Sequence, residues 1–210
     1  MKRLAIIGSG DLGQQLANLA ENDQQFQVVG FYDDFKLAGD LAGDYKIMGK
    51  LNHVLSQFKE GLFDEVLIGI GYNHMHFRKE VYESLKGRVP FAKLIHSTCI
   101  VSTSSKIKEG VVIYPGSIID QNVTISENVL INLGCCISHD TILGGHSFFA
   151  PRVAIGGFSI IGESCVVGIN STIIDNIKIC NNTQIGAGAV VIKNIQENGV
   201  YVGNPSKYIR

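Results

Sequence analysis

From residue 95 onward a large apolar residue returns at every sixth position without a slip, from Ile95 and Val101 through Ile125, Phe149 and Ile173 to Val191. Four residues after each stands a small or branched one, among them Ser105, Ser117, Cys135, Thr141, Ser147, Cys165 and Ala189. Glycine often follows the aliphatic directly, as at Gly144, Gly156, Gly162, Gly168 and Gly186. A helix needs apolar residues every three or four positions and an extended strand every two, so a period of six fits neither alone. It fits a short strand plus a turn, repeated as the faces of a parallel β-helix with strands stacked about 4.8 Å apart. Three hexads per coil predict a triangular prism of about five to six coils. Inside it go the aliphatic and the small residue; the turns take Gly, Asn and Asp, which tolerate left-handed backbone.

A periodic prism leaves raw edges at both ends and needs caps. The expected organisation is therefore residues 1–94 as one domain, 95–196 as the β-helix and 197–210 as a capping tail. The first segment opens with an apolar strand, LAII, then a G-x-G-x-x-G turn (Gly8, Gly10, Gly13) and a helix-like pattern. VVGFYDD reads as a second strand ending in Asp33 and Asp34, DEVLIGIG as a third, RKEVYESLKG as a helix and FAKLI as a last strand. This alternation predicts a small Rossmann-like parallel α/β sheet with ligands beyond its strand ends. About four strands is half of a dinucleotide fold, and Asp11 sets a negative charge where a pyrophosphate meets a helix N-terminus. A nucleotide-sugar site is favoured over a structural turn, and both over NAD.

A formal net charge of −1 offers no field for nucleic acid or an anionic membrane. No run approaches the ~20 apolar residues of a membrane helix, and glycines break the N-terminus before a signal-peptide core forms. A cytoplasmic protein that meets small molecules and copies of itself is expected. The five cysteines (Cys99, Cys135, Cys136, Cys165, Cys180) lack paired metal spacing and read as small buried filler.

With IIGSGDLG, FYDDF, GIGYN, the hexads around SHD, GINS and VGNPSKYI in view, the chain resembles the bacterial sugar O-acyltransferases and nucleotide-linked 4-amino-sugar N-acetyltransferases. These hexapeptide-repeat enzymes include sialic acid O-acetyltransferases. The resemblance implies a left-handed β-helix, a homotrimer and acetyl-CoA as co-substrate, with transfer to the amine of a nucleotide-linked 4-amino-4,6-dideoxy sugar. It implies His139 as general base and Asp140 as its partner, a role suited to an imidazole at neutral pH. It further implies Gly157 as an oxyanion donor, with Phe148, Gly157, Ile169 and Ala187 as acetyl-CoA contacts. Phe148 departs from the histidine that relatives often carry there. Gly10, Asp11 and Leu12 of the first loop, Asp33 and Asp34, and Asn132 match substrate contacts.

The rival readings are a sugar O-acetyltransferase using the same base and a non-catalytic nucleotide-binding scaffold trimer. A serine-type acetyltransferase is disfavoured, because its N-terminal half would be helical. His146, seven residues after His139, raises zinc, but three protein ligands are needed and no metal is expected. His74 and His76 suit a substrate contact or a helix start equally. His53 and His96 read as structural, and Lys193, Lys207 and Arg210 as solvated.

Overall fold

The computed structural model describes all 210 residues, in two compact units, Met1–Leu94 and Ile95–Arg210. In the first, β1 (Lys2–Ile7) is flanked by β2 (Phe26–Tyr32) and β5 (Glu65–Ile68), both parallel to it. β1 is central and covered on both faces, so Leu4, Ala5, Ile6 and Ile7 are all fully buried, which is why it reads as a continuous apolar run. Helix α1 (Asp11–Asn22) buries Leu16, Ala17 and Ala20 on one face.

The glycines of the first loop are packing residues. A Cβ on Gly13 would lie 2.0 Å from the Gly8 carbonyl oxygen, and one on Gly69, at the end of β5, would lie 2.5 Å from the Gly13 Cα. Only bare backbone lets loop, helix and β5 approach so closely.

The sheet has one feature the strand reading omits. A hairpin of β3 (Leu41–Ala42) and β4 (Tyr45–Gly49) extends it beyond β2, giving the order β3-β4-β2-β1-β5. Its two-residue turn, Gly43–Asp44, has φ 61° at Gly43, the glycine position of a II′ hairpin. Two helices complete the unit, α2 (Val54–Lys59) and α3 (Met75–Leu85). FAKLI is barely a strand: Phe91 makes an isolated bridge to Val66, and only Leu94–Ile95 is extended beyond it.

The second unit winds as a left-handed parallel β-helix with three faces. Each two-residue strand pairs with the one 18 positions on, so Ile119 meets Ile137, Ile125 meets Leu143 and Ile131 meets Phe149. The first face holds Val112–Ile113, Leu130–Ile131, Phe148–Phe149, Val166–Val167 and Gln184–Ile185. The second runs from Ile100–Val101 through Cys136–Ile137 to Val190–Val191, and the third from Lys106–Ile107 through Ile142–Leu143 to Lys178–Ile179.

The aliphatics from Ile113 to Val191 form one column of core, with Val111, Cys135, Val153, Cys165 and Ala189 between them. The interior serines are satisfied from rung to rung. Ser147 Oγ donates to the Gly162 carbonyl at 3.1 Å and accepts from the Cys165 N–H at 3.0 Å, so a hydroxyl enters the core without an orphaned group.

Every corner turns through one left-handed residue, at a strict interval of six from Gly110 to Gly188. Asn fills five of these places and Asp140 a sixth, as turn-residue tolerance predicts, but His146, Arg152, Phe158 and Ser164 take the same conformation. The tail closes the helix: Val200–Val202 pairs with Gln184–Ile185, and Lys207–Tyr208 folds back antiparallel on it.

All five cysteines are free. Burial pushes the Cys135 and Cys165 thiols up to about 11, as filler requires. Cys136 departs from that reading: it is exposed, because it holds the outward position of its strand. No helix is long and apolar enough to cross a membrane.

Candidate active site

Residues 18 apart are stacked neighbours, so the corner between the second and third faces carries His139, Gly157, Asp175 and Lys193 in one column. Asn122, Asp140, Phe158 and Asn176 form the adjoining one. His139 Nδ1 lies 3.0 Å from Asp140 Oδ2. A carboxylate only accepts, so Nδ1 carries the hydrogen and the lone pair falls on Nε2, which makes no hydrogen bond within the protein. Asp140 is itself steadied by Asn122, whose Nδ2 donates to Oδ1 at 3.2 Å.

Gly157 lies against the imidazole. A Cβ there would stand 2.7 Å from His139 Cε1 and 2.9 Å from Nε2. The Gly157 carbonyl accepts from the Asn176 N–H at 2.9 Å, while its own N–H has no protein acceptor. The Phe158 ring stands 5.0 Å from the imidazole, at 84° to it. The dyad remains open to solvent, with side-chain exposures of 47% for His139 and 38% for Asp140. A free basic nitrogen, an oriented carboxylate and an unused amide thus converge on one exposed corner, the set needed for proton removal beside a developing oxyanion.

The other predicted β-helix residues lie elsewhere. Asn132 stands at the corner between the first and second faces, its Oδ1 accepting from the Leu133 N–H at 2.8 Å. Ile169 and Ala187, exposed, occupy one column of that corner with Leu133 and Pro151. Phe148 is on the first face, paired with Leu130 and Val166 and only 6% exposed. In one copy of the chain, therefore, Asn132, Phe148, Ile169 and Ala187 do not meet His139. His146 turns the remaining corner, 2% exposed, with Nδ1 3.0 Å from Asn128 Nδ2 and Nε2 3.8 Å from Glu163.

A second concavity belongs to the first unit alone. A cavity of about 450 Å³ opens beyond the ends of β1 and β5, lined by Gly8, Ser9, Gly10, Asp33, Asp34, Phe35, His74 and Phe77 among others. Gly10, Asp33 and Asp34 thus reach it, whereas Asp11 and Leu12 do not line it, because they already belong to α1 and turn with it. His74 lines the cavity at the end of a 3-10 turn; its neighbour His76 instead pairs with Glu80 at 3.5 Å.

Asp33 has a prior engagement. Its Oδ2 accepts from the Ser9 hydroxyl at 2.6 Å and the Ser9 N–H at 3.0 Å, and Oδ1 accepts from the Phe35 N–H at 2.9 Å. Burial pushes its carboxyl up, but the hydrogen bonds from Ser9 and Phe35 and the charge of Lys36 outweigh this, and the group is held below the ordinary carboxylate range. Asp34 Oδ1 accepts from the Leu51 N–H at 2.9 Å and its second oxygen is uncommitted. Ser9, Phe35 and Phe77 escape a motif-based reading, Phe77 because nothing in a helix pattern marks the residue that faces a strand end.

His53 and His96 serve the backbone: their Nδ1 atoms accept from the N–H groups of Lys50 and Thr98. Lys193 and Lys207, with Asn194 and Ser206, line a cavity of about 290 Å³ by the C-terminal rungs. Arg210, at the chain end, is exposed.

Residues 3–85 match the PglD N-terminal domain, and residues 158–193 match the bacterial transferase hexapeptide (six repeats). Among solved structures, the acetyltransferase domain of PglB from Neisseria gonorrhoeae, in complex with acetyl coenzyme A, superposes with a TM-score of 0.89 at 23% identity, over 99% of each chain. PerB from Caulobacter crescentus, in complex with CoA and GDP-perosamine, superposes at 0.88 and 24%, over 99% of this chain and 97% of that one. Among curated proteins, serine acetyltransferase 2 of Arabidopsis thaliana is 31% identical over 212 residues, covering 95% of this chain and 62% of the relative. The chain spans 47% of the length of one such relative, a serine acetyltransferase of Synechococcus elongatus, and 62% of the Arabidopsis protein.

Proposed function

We propose, for a chain that joins a PglD N-terminal domain to bacterial transferase hexapeptide repeats, acetyl transfer from acetyl-CoA to the amine of a nucleotide-linked amino sugar of the 4-amino-4,6-dideoxy class. The observation that carries this reading is the His139–Asp140 dyad at 3.0 Å against Gly157 on an exposed corner. Packing of a β-helix has no use for an imidazole with a free nitrogen there.

In this mechanism the sugar amine attacks the thioester carbonyl. His139 Nε2 takes the ammonium proton, the Gly157 N–H steadies the oxyanion, and collapse expels the coenzyme thiolate, which the imidazolium protonates. No covalent enzyme intermediate is needed, and the amide's contribution is about 3 kcal/mol. The solved PerB complex contains CoA and GDP-perosamine, the two ligand classes proposed for this chain. The cavity above the glycine loop suits the nucleotide, with Asp34's free oxygen as an acceptor for base or ribose.

We assign the working form to a homotrimer. The second face carries an outward apolar strip, Ile100, Ile118, Cys136 and Ala154, with Ile100 and Ile118 well exposed. It lies between the corner with His139 and the corner with Asn132, Ile169 and Ala187. Three copies packed cyclically through that face would bring one copy's dyad to the next copy's Ile169 column, where the pantetheine arm would run along backbone.

A serine acceptor is disfavoured by the α/β first unit and its cavity. The test is a thiol-release assay with acetyl-CoA and a panel of UDP-, GDP- and dTDP-linked amino sugars, the corresponding hydroxy sugars, sialic acid and free serine. Turnover confined to amino sugars is expected. Turnover on hydroxyl acceptors alone would make it an O-acetyltransferase, and failure to bind coenzyme A would point to a scaffold.

A further inference from the structure

Phe158 sits where neither its turn nor its burial explains it. Its φ is 58°, a conformation that disfavours a bulky side chain and that Asn or Gly adopts with least cost. Within its own chain it gains no core in return, because 55% of it is exposed there. Its ring, however, stands 5.0 Å from His139 at 84°. Its N–H donates to the His139 carbonyl at 3.1 Å, so its backbone is tied to the rung of the dyad. Asp140 and Phe158 share a column on successive rungs: one holds Nδ1, the other flanks the ring, and Gly157 closes a further side.

We propose that Phe158 is a positioning residue for His139: an aromatic wall, kept at the cost of backbone strain, that fixes the plane of the imidazole and keeps water from one side. The inference rests on His139 being the base. Local strain at a functional site is retained when the site gains by it. Here the gain is a restricted aim for Nε2, since misplacing a catalytic group by about 1 Å costs on the order of 10²-fold.

The test uses the full-length protein and the substitutions F158N and F158Y. Asn relieves the left-handed strain and removes the ring, so F158N should melt higher by about 2–4 °C while its kcat falls on the order of 10-fold. Its KM for acetyl-CoA should stay within about 3-fold. F158Y, which restores the wall, should keep kcat within about 3-fold of wild type. The ring-current shift of the His139 imidazole protons should be present in wild type and F158Y and absent in F158N. A residue serving only the fold would lower melting temperature and activity together. F158N with wild-type kcat, or F158Y as impaired as F158N, overturns the proposal. If H139A is also active to within a few-fold of wild type, the base assignment fails and takes this inference with it; an inactive H139A beside a fully active F158N removes the inference alone.

Discussion

Gly157 stands so close to His139 that a single methyl group would touch the ring, 2.7 Å from Cε1. Its backbone is outside the left-handed region, so alanine is tolerated there by the chain but not by the imidazole. Gly157→Ala should leave melting nearly unchanged, since His139 is free to swing outward, while lowering kcat by on the order of 10–10²-fold. Circular dichroism melts beside steady-state kinetics check this. Loss of both together would mean the glycine serves packing.

Asp140→Asn separates charge from shape. Asn accepts the left-handed turn at least as well as Asp, so the fold should be unaffected. The amide can still accept from Nδ1, but an imidazolium forming at His139 loses its counter-charge. A fall in kcat of about 10-fold is expected, with KM values little changed; unaltered kcat would leave Asp140 as a turn residue only.

How much of the fold and of this corner is legible in the sequence follows from what the period constrains. Eighteen residues per coil places Gly157 beside His139 by spacing alone, and separates both from Ile169 and Ala187 by the width of the second face. The period says nothing about the free turn positions, so it leaves Phe158 and Asn122 unmarked. An aromatic in GGF, where Gly or Asn suits the turn, is the one signal there. In the first unit the glycine fingerprint marks the loop, but whether Gly10, Asp11 and Leu12 face the cavity depends on where α1 begins. The Ser9–Asp33 lock joins positions 24 apart through tertiary structure, which no local pattern announces. The hairpin after β2 is two residues on one side and too short to carry a period.

That lock gives a pH dependence with a definite sign. Asp33 is held below its ordinary pKa of 3.8, so its contribution to stability is complete above that value and is lost as pH falls through the lower folded-state pKa. Acid should therefore loosen the glycine loop, visible as faster exchange of the Ser9 amide below pH 3.8. Asp33→Asn should exchange faster at neutral pH and lose that acid step; an unchanged profile would remove Asp33 from the loop's support.

Ile118 points outward from the second face and is 41% exposed. If three copies pack through that face, Ile118→Lys should leave the fold intact and shift the mass by light scattering from trimer to monomer. Activity should fall in parallel, because the dyad and the Ile169 column would then no longer meet. A monomeric wild type, or a trimer indifferent to the lysine, would contradict the arrangement.

The most direct trial of the account is the single-turnover rate of acetyl transfer by His139→Ala, with acetyl-CoA and the accepted amino sugar both bound. A drop on the order of 10²-fold or more, with both dissociation constants unchanged, is the result predicted. A rate within a few-fold of wild type would contradict it and leave the dyad without a chemical task.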